Sequence, residues 1–301
     1  MNILIAGCHG LLGQKLVRYA PENVSIFGID LQQDDKLGLG ASYQPLDLLH
    51  RRELRDFVKE IKPAWILNAA GYTDVDGAEE EKDLCWKVNV TAVDNLIYAA
   101  RKVHAKIVHL STDYIFDGKE GPYDEDDIPN PMGFYGRSKL ASENLLKASP
   151  VEFAIVRTMV LYGTGIDLRP NFVTWLIDKL RKGESVRIVD DQYGNTTLAD
   201  ELALGIWKIV HKDATDIFHI AGSEIVDRFT FARKIADVFD LDASLIQPIK
   251  TAELNQAAPR PLRSGLRVDK AIRELGIQLS NVQEGLLKFK KQLEENKVKN
   301  N

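Results

Sequence analysis

Residues 3–13, with the sequence ILIAGCHGLLG, decide the fold of this chain. The first residues are apolar and predict a buried strand, and apolar residues recur at helical spacing from Leu11 onward. Between the two elements lie three glycines, Gly7, Gly10 and Gly13. A strand, a glycine-rich turn and a helix within about twenty residues are typical of the first βαβ unit of a dinucleotide-binding fold.

The three glycines have different physical tasks in such a turn. Gly7 permits the sharp turn away from the strand, Gly10 leaves space for a pyrophosphate near the backbone, and Gly13 lets the helix pack close to the sheet. The helix N-terminus then presents unpaired N–H groups and a positive dipole end to the phosphates. The alternative is a tight turn that binds no ligand.

Length, charge and cysteine content limit the number of domains, the classes of partner and the cellular compartment to be expected. The 301 residues allow one large α/β domain, with or without a smaller lobe, and the net charge of −5 gives no electrostatic reason to expect nucleic acid or an anionic membrane as partner. The two cysteines, Cys8 and Cys85, do not suggest a disulfide framework, which favours a reducing compartment. The chain enters a strand at once and has no apolar run long enough for a bilayer, so we expect a cytoplasmic protein without a signal peptide.

Asp30 follows the second predicted strand, residues 24–29, about twenty residues beyond the glycines. A carboxylate at this place accepts hydrogen bonds from both hydroxyls of an adenine ribose and repels the 2′-phosphate of NADP. The nearest basic residue is Lys36. The sequence therefore favours NAD(H) as cofactor and leaves NADP(H) open. The alternative is a turn residue that merely ends the strand.

Three small residues follow the fourth predicted strand, residues 64–67. Ala69, Ala70 and Gly71 leave room for a cofactor ribose to lie against the backbone. The alternative interpretation is a solvated loop, in which three small residues in a row would be a coincidence.

Hydroxyl groups and a carboxylate follow the fifth predicted strand, residues 106–110, at Ser111, Thr112 and Asp113. Open α/β sheets bind their ligands at the carboxyl ends of such strands. These side chains are therefore candidates for contacts with cofactor and substrate.

Tyr135 and Lys139 carry the predicted chemistry. At positions i and i+4 of a helix, the two side chains share one face. A free phenol has a pKa near 10, and a neighbouring ammonium together with oxidised nicotinamide would lower that pKa towards the range useful in acid–base catalysis. Thr112 can hydrogen-bond the same reacting oxygen. A lone Tyr-x-x-x-Lys is common by chance, but its position after the glycine turn and Asp30 makes it specific.

Beyond residue 160 the pattern of the chain changes. Four further helices are predicted at residues 171–181, 198–210, 229–239 and 268–275, and two strands at residues 186–189 and 217–221. The fold class is α/β, a doubly wound parallel-sheet Rossmann fold formed by residues 1–160 with about 190–222. A smaller mixed α/β lobe comprises about 161–189 and 223–301.

The chain resembles the dTDP-4-dehydrorhamnose reductases, in the sugar-nucleotide branch of the extended short-chain dehydrogenases/reductases. The motifs that carry the resemblance are STDYIFDG (111–118), YGRSKLASE (135–143), VRTMVLYG (156–163), PNFV (170–173), VDDQYGNTT (189–197) and RPLRSGL (260–266). The resemblance implies reduction of the 4-keto group of a nucleotide-linked 6-deoxy sugar, as in dTDP-rhamnose formation for cell-surface polysaccharide. It also implies a lobe that covers the sugar nucleotide, and it allows a homodimer.

The resemblance and the patterns above together assign the site. The catalytic residues are Thr112, Tyr135 and Lys139. The cofactor residues are Gly7, Gly10, Leu11, Leu12, Gly13, Asp30, Asp47, Leu48, Ala69, Ala70, Gly71, Asn89, Ser111, Tyr135 and Lys139. The substrate residues are Thr112, Asp113, Tyr72 and Arg260. No metal ligand is predicted, and dependence on magnesium is left open.

The chain departs from the family where Met159 and Val160 replace the usual Ser-Trp, an aromatic ring that lines the sugar site. This leaves the exact sugar open. One alternative function is another epimerase or reductase of sugar nucleotides; dehydration is disfavoured because Tyr114, and not Glu, follows Asp113. The other alternative is a non-catalytic, dinucleotide-binding regulatory subunit, because the regulatory subunit of methionine adenosyltransferase resembles the same reductases.

Overall fold

Thirteen strands are present in the computed structural model, which describes residues 1–299, with side chains to residue 295. They are β1 (Asn2–Ala6), β2 (Ser25–Asp30), β3 (Tyr43–Pro45), β4 (Trp65–Asn68), β5 (Lys106–Thr112), β6 (Phe153–Thr158), β7 (Leu161–Tyr162), β8 (Val186–Val189), β9 (Tyr193–Asn195), β10 (Thr197–Leu198), β11 (Ile217–His219), β12 (Ile225–Asp227) and β13 (Ile246–Ile249). Seven of them form one sheet in the order β11-β6-β5-β4-β1-β2-β3, and every pairing in it is parallel.

Helices cover both faces of this sheet. The helices are α1 (Leu11–Arg18), α2 (Arg51–Ile61), α3 (Gly77–Glu80), α4 (Lys82–Trp86), α5 (Ala92–Ala100), α6 (Phe134–Lys147), α7 (Phe172–Arg181), α8 (Ala199–Lys212), α9 (Arg228–Val238), α10 (Asp269–Leu275) and α11 (Val282–Lys299). Apolar residues of α1, α8 and α10 pack on one face, and those of α2, α5 and α6 pack on the other. The predicted doubly wound Rossmann fold is confirmed. None of the helices in residues 1–299 has the length and apolar character that crossing a membrane requires.

A separate apolar core holds the smaller lobe together. It joins α7, α9 and α11 to the parallel pair β8–β13, with Phe231 and Phe289 fully buried at its centre. The predicted range 223–301 for this lobe also contains α10, whose Ala271 and Leu275 pack in the core of the large sheet. This helix follows the lobe segments in sequence but returns to the sheet, because its apolar face is buried against α8 and β11.

The strand order creates the crevice in which a ligand can bind. The chain runs outward from β1 through β2 to β3, and then crosses back to β4, β5, β6 and β11 on the other side. Ligands of open α/β sheets bind at the carboxyl ends of the strands where the order reverses. Here that place lies between β1 and β4, next to the glycine turn.

Candidate active site

The glycine turn after β1 has the geometry that the sequence predicts. Gly7 has φ of +77°, a conformation that side chains disfavour, and a Cβ atom on Gly13 would lie 2.1 Å from the carbonyl oxygen of Gly7. A Cβ atom on Gly10 would meet only that same oxygen, at 3.4 Å. The fold itself therefore requires glycine at positions 7 and 13, whereas Gly10 faces open space.

One large cavity runs along the carboxyl edge of the sheet, from the glycine turn to α6. Most of the predicted site residues line it, namely Gly7, Gly10, Leu11, Leu12, Asp30, Asp47, Leu48, Ala69, Ala70, Gly71, Tyr72, Ser111, Thr112, Asp113, Tyr135 and Lys139. Residues from β1, β2, β4, β5 and α6 thus meet in one space, as a site for an extended ligand requires.

Asp30 lies at one end of this cavity. Its carboxylate accepts hydrogen bonds from the backbone N–H groups of His9 (3.0 Å) and Leu31 (2.8 Å), and each oxygen retains a lone pair for a ligand. Lys36 is not available as a free cation beside it, because its ammonium pairs with Asp167 at 3.1 Å.

His9 is buried beside Asp30 and stacks on the ring of Tyr43 at 4.7 Å between centroids. Neither of its ring nitrogens has a hydrogen-bond partner among the described residues. Ligand atoms of Cys8, His9 and Asp30 lie within 4.8 Å of one another. The sequence motif does not predict this cluster, which offers polar atoms at the end of the cavity where Asp30 lies.

Tyr135 lies at the other end of the cavity, on the first turn of α6. Burial raises the pKa of its phenol above the ordinary value, and a hydrogen bond between the phenol and the Thr112 hydroxyl opposes the rise. The sequence predicts that Lys139 lowers this pKa. In the protein the pKa of Tyr135 is instead raised, because burial is the largest influence on it and the negative charge of Asp113 raises it further.

The ammonium of Lys139 lies next to a buried histidine. Burial lowers the pKa of its ammonium from 10.5 to about 8, and Glu143 opposes this. The ammonium lies 3.5 Å from Nε2 of His109 on β5. No motif points to His109, although a histidine inside the apolar strand KIVHL is a sign that the ring needs partners.

The hydrogen bonds of His109 assign its tautomer. Asn68 accepts the N–H of Ala70 through Oδ1 (3.2 Å), so its Nδ2 donates to Nδ1 of His109 at 3.1 Å. Nε2 then carries the proton and donates to the Ser142 hydroxyl at 2.9 Å, which in turn donates to the Lys139 carbonyl at 2.7 Å. His109 is thus neutral, consistent with burial and Lys139 holding its pKa well below the usual range.

Asn89 lies behind the cavity and does not line it. Asn89 lies in a π-helical turn, Lys87–Thr91, between α4 and α5, and its side chain is buried. Its amide accepts the N–H of Tyr72 (2.9 Å) and donates to the carbonyl of Tyr72 (3.1 Å) and to the Ser138 hydroxyl (2.9 Å). Asn89 therefore joins the loop after β4 to α6, instead of contacting a cofactor directly.

Gly13 and Arg260 also lie outside the cavity lining. Gly13 is covered by the turn itself, as described above. Arg260 forms an ion pair with Asp76 at 2.5 Å and donates to the carbonyl of Ala258 at 2.8 Å. Its guanidinium therefore joins the loop after β4 to the segment that precedes Pro261.

Asp113 is a buried carboxylate on the wall of the cavity. It accepts hydrogen bonds from the hydroxyls of Ser264 (2.7 Å) and Thr112 (3.1 Å). Burial raises its pKa from 3.8 to about 6, although these two bonds oppose the rise. The Thr112 hydroxyl is thereby oriented between this carboxyl group and Tyr135.

The family departure at Met159 and Val160 lies on the wall of the same cavity. Val160 has φ of +45°, a strained conformation for a β-branched residue. Thr197 holds this backbone in place, because its N–H donates to the carbonyl of Val160 (3.1 Å) and its hydroxyl donates to that of Met159 (2.6 Å). An aliphatic side chain on a strained backbone therefore occupies the place of the expected aromatic ring.

Known proteins with the same fold and sequence pattern identify the family. The model of the RmlD substrate binding domain matches residues 1–295. A dTDP-4-dehydrorhamnose reductase of Sinorhizobium fredii is 33% identical over 295 residues, which cover 94% of this chain and 95% of the relative. The crystal structure of the dTDP-4-dehydrorhamnose reductase of Bacillus anthracis in complex with NADP has a TM-score of 0.88 at 32% identity, and the match covers 97% of this chain and 99% of that one.

A relative with a different name shares the pattern. The methionine adenosyltransferase 2 subunit beta of Xenopus laevis is 30% identical over 285 residues, which cover 91% of this chain and 82% of the relative. The family model nevertheless extends over almost the whole chain, and a reductase that binds NADP has the same fold throughout. This chain belongs to the dTDP-4-dehydrorhamnose reductase family of NAD(P)H-dependent oxidoreductases.

Proposed function

We propose that this protein reduces the 4-keto group of a nucleotide-linked 6-deoxy sugar, the type of reaction that converts dTDP-4-dehydrorhamnose to dTDP-rhamnose. One observation carries the proposal. Thr112, Tyr135 and Lys139 line the same cavity as the glycine turn and Asp30. A dinucleotide that extends from Asp30 towards α6 would bring its reactive end to these three side chains.

Each of the three residues has a distinct task. The bound dinucleotide supplies the hydride that adds to C4 of the sugar. Tyr135 donates its phenolic proton to the alkoxide oxygen that forms, and its high pKa keeps that proton in place until then. Lys139 binds the ribose hydroxyls of the dinucleotide, and Thr112 orients the carbonyl towards Tyr135. Positioning and charge complementarity provide most of the acceleration.

The cofactor preference follows from the Asp30 end of the cavity. Asp30 is negative and keeps acceptor capacity for two ribose hydroxyls, whereas Lys36, the nearest cation in sequence, is paired with Asp167. A 2′-phosphate would meet repulsion from Asp30 and competition from Asp167. We therefore infer that NADH is preferred over NADPH.

The direct test mixes the purified protein with NADH and a panel of nucleotide-linked 4-keto sugars, and follows the absorbance of the reduced cofactor. We expect NADH to be consumed with at least one panel member. The Tyr135→Phe variant should bind NADH and leave it unconsumed. If the wild-type protein binds NADH tightly and no sugar causes its consumption, the regulatory role indicated by the Xenopus laevis relative replaces the proposal.

A further inference from the structure

A small recess opens from the main cavity towards the lobe. The two spaces share Asp113, Tyr114, Met159 and Val160 as common walls. The recess is lined in part by Arg228, the first residue of α9. It is therefore reached from the place where Thr112 and Tyr135 act.

Contacts of the backbone hold Arg228 in place, whereas its charged guanidinium forms no ion pair with the described residues. Its N–H donates to the carbonyl of Gln192 at 3.1 Å, and Asp227 caps the helix by accepting the N–H of Thr230 at 2.8 Å. The guanidinium carbon lies 5.8 Å from the centroid of the Phe172 ring. Among the residues that the structure describes, the guanidinium has neither an ion pair nor a hydrogen bond.

The neighbouring charges do not neutralise it. Asp113 attracts the guanidinium, but no ion pair or hydrogen bond joins the two groups, and each oxygen of this carboxylate accepts one hydrogen bond, from Ser264 or Thr112, and keeps a lone pair. Arg260 repels it, and Arg260 is itself compensated by Asp76. Burial adds a cost to the charge of Arg228, and a guanidinium stays protonated in proteins. A partly buried arginine without an ion pair, with a forked set of donors, is a ready partner for a phosphate or a carboxylate.

We propose that the recess binds an oxyanion of the nucleotide sugar on Arg228, while Asp113 accepts a hydrogen bond from a sugar hydroxyl. The oxyanion is a phosphate of the nucleotide or a carboxylate on the sugar, since both match the guanidinium fork. The proposal rests on the proposed function, because it assigns the substrate to the same cavity. Arg228 replaces Arg260, the residue that sequence reasoning assigns to the substrate, because the geometry leaves Arg260 paired and Arg228 unpaired.

The test measures binding of dTDP and of thymidine by calorimetry to the protein saturated with NAD. Loss of a charged hydrogen bond in Arg228→Met should weaken dTDP binding by about 10- to 100-fold. Arg228→Lys should restore part of the affinity, and thymidine binding should not change. The matched control is Arg233→Met, which removes the same charge from an exposed position one turn further along α9. We expect the control to bind dTDP as the wild type does.

UDP-glucose and UDP-glucuronic acid distinguish the two sources of the oxyanion. If Arg228→Met weakens both to the same extent, the phosphate is the partner. If it weakens only UDP-glucuronic acid, leaving UDP-glucose and dTDP unchanged, the sugar carboxylate is the partner. If Arg228→Met binds every one of these ligands as the wild type does, or if the wild type binds none of them, the proposal is overturned.

This outcome is separable from that of the proposed function. Wild-type protein that consumes NADH with a 4-keto sugar, and an Arg228→Met variant that does so with unchanged KM, would refute the role of Arg228 alone. Binding of dTDP that depends on Arg228, without consumption of NADH on any panel sugar, would refute the reductase and leave the recess as an oxyanion site.

Discussion

The two ends of the cavity are built in different ways. At the dinucleotide end, the turn after β1, Asp30 at the end of β2 and the small residues after β4 are brought together because β1 pairs directly with both β2 and β4. At the substrate end, Ser264 bonds Asp113 across 151 residues of sequence, and Arg260 pairs with Asp76 across 184. A short motif can therefore predict the first end, whereas the second depends on how distant segments pack. Five measurements test this difference, beginning with the largest expected effect.

Tyr135 lies at the end of the cavity opposite Asp30, and its loss should be the most severe change for activity. Tyr135→Phe removes the proton donor and keeps the ring, so we expect kcat to fall by about 10²- to 10⁴-fold, the contribution typical of general acid catalysis. Steady-state kinetics measures this, and fluorescence titration should show unchanged NADH binding. A fall in NADH affinity as large as the fall in kcat would mean that Tyr135 belongs to the dinucleotide end only.

The buried pair of Glu143 and Arg157 joins α6, the helix that carries Tyr135, to β6, with side chains only 0% and 1% exposed. Two hydrogen bonds connect the groups, at 3.0 and 2.9 Å. Although burial alone would raise the pKa of Glu143, Arg157 holds it below the ordinary value. Glu143→Gln leaves a buried guanidinium without its counter-ion, so the free energy of unfolding in urea should fall by about 3–5 kcal/mol.

The control for this variant is Glu184→Gln, which breaks the half-exposed pair of Glu184 with Lys179. Its free energy of unfolding should change by less than about 1 kcal/mol. If the free energy of unfolding fell equally in the two variants, the buried pair of Glu143 and Arg157 would contribute no more to stability than the half-exposed pair.

Substitution of two glycines in the same turn should distinguish an effect on stability from an effect on ligand binding. Gly13→Ala forces a methyl group against the backbone of Gly7 and should lower the free energy of unfolding by about 1–3 kcal/mol, with or without NADH. Gly10 has φ of −69° and open space, so Gly10→Ala should keep its stability. Its NADH affinity should fall about tenfold or more, since a steric cost of about 1.4 kcal/mol is enough. A stable Gly13→Ala, or unchanged NADH affinity in Gly10→Ala, would contradict the assignment.

The pH dependence of NADH binding should follow the protonation state of Lys139. Because its pKa is about 8, its ammonium is lost as the pH rises through that value, and NADH affinity should fall above pH 8. Lys139→Arg, which stays charged, should give a flat profile, and Lys139→Met should bind weakly at every pH. A falling profile that persists in Lys139→Met would exclude Lys139 as its source.

The same shift has a consequence for stability. The pKa of Lys139 is lower in the folded protein than its ordinary value of 10.5, so the unfolded chain binds more protons between these values. The contribution of Lys139 to the free energy of unfolding should therefore increase as the pH rises from about 8 to 10.5.

Cofactor preference should show the smallest effects. Asp30→Ala should relax the preference for NADH over NADPH, because the repulsion of the 2′-phosphate disappears. Asp167→Asn should act in the same direction by only a few-fold, since it releases Lys36 from a pair whose side chains are 25% and 69% exposed. Affinities for both dinucleotides measure the effects, and unchanged discrimination in Asp30→Ala would refute the role of that carboxylate.

The sequence by itself determined the Rossmann fold and the family, and it predicted most of the residues that line the cavity between the glycine turn and Tyr135. Alternation of apolar strands and helices, glycine spacing and a Tyr-x-x-x-Lys pair are local patterns, and their meaning follows from neighbours a few residues apart. Only the tertiary structure decided that Asn89 lies behind the cavity, that Arg260 is paired with Asp76, and that Arg228 lines the recess without forming an ion pair. Whether a charge is free or compensated depends on groups brought together by packing, and the linear order of residues does not contain those distances.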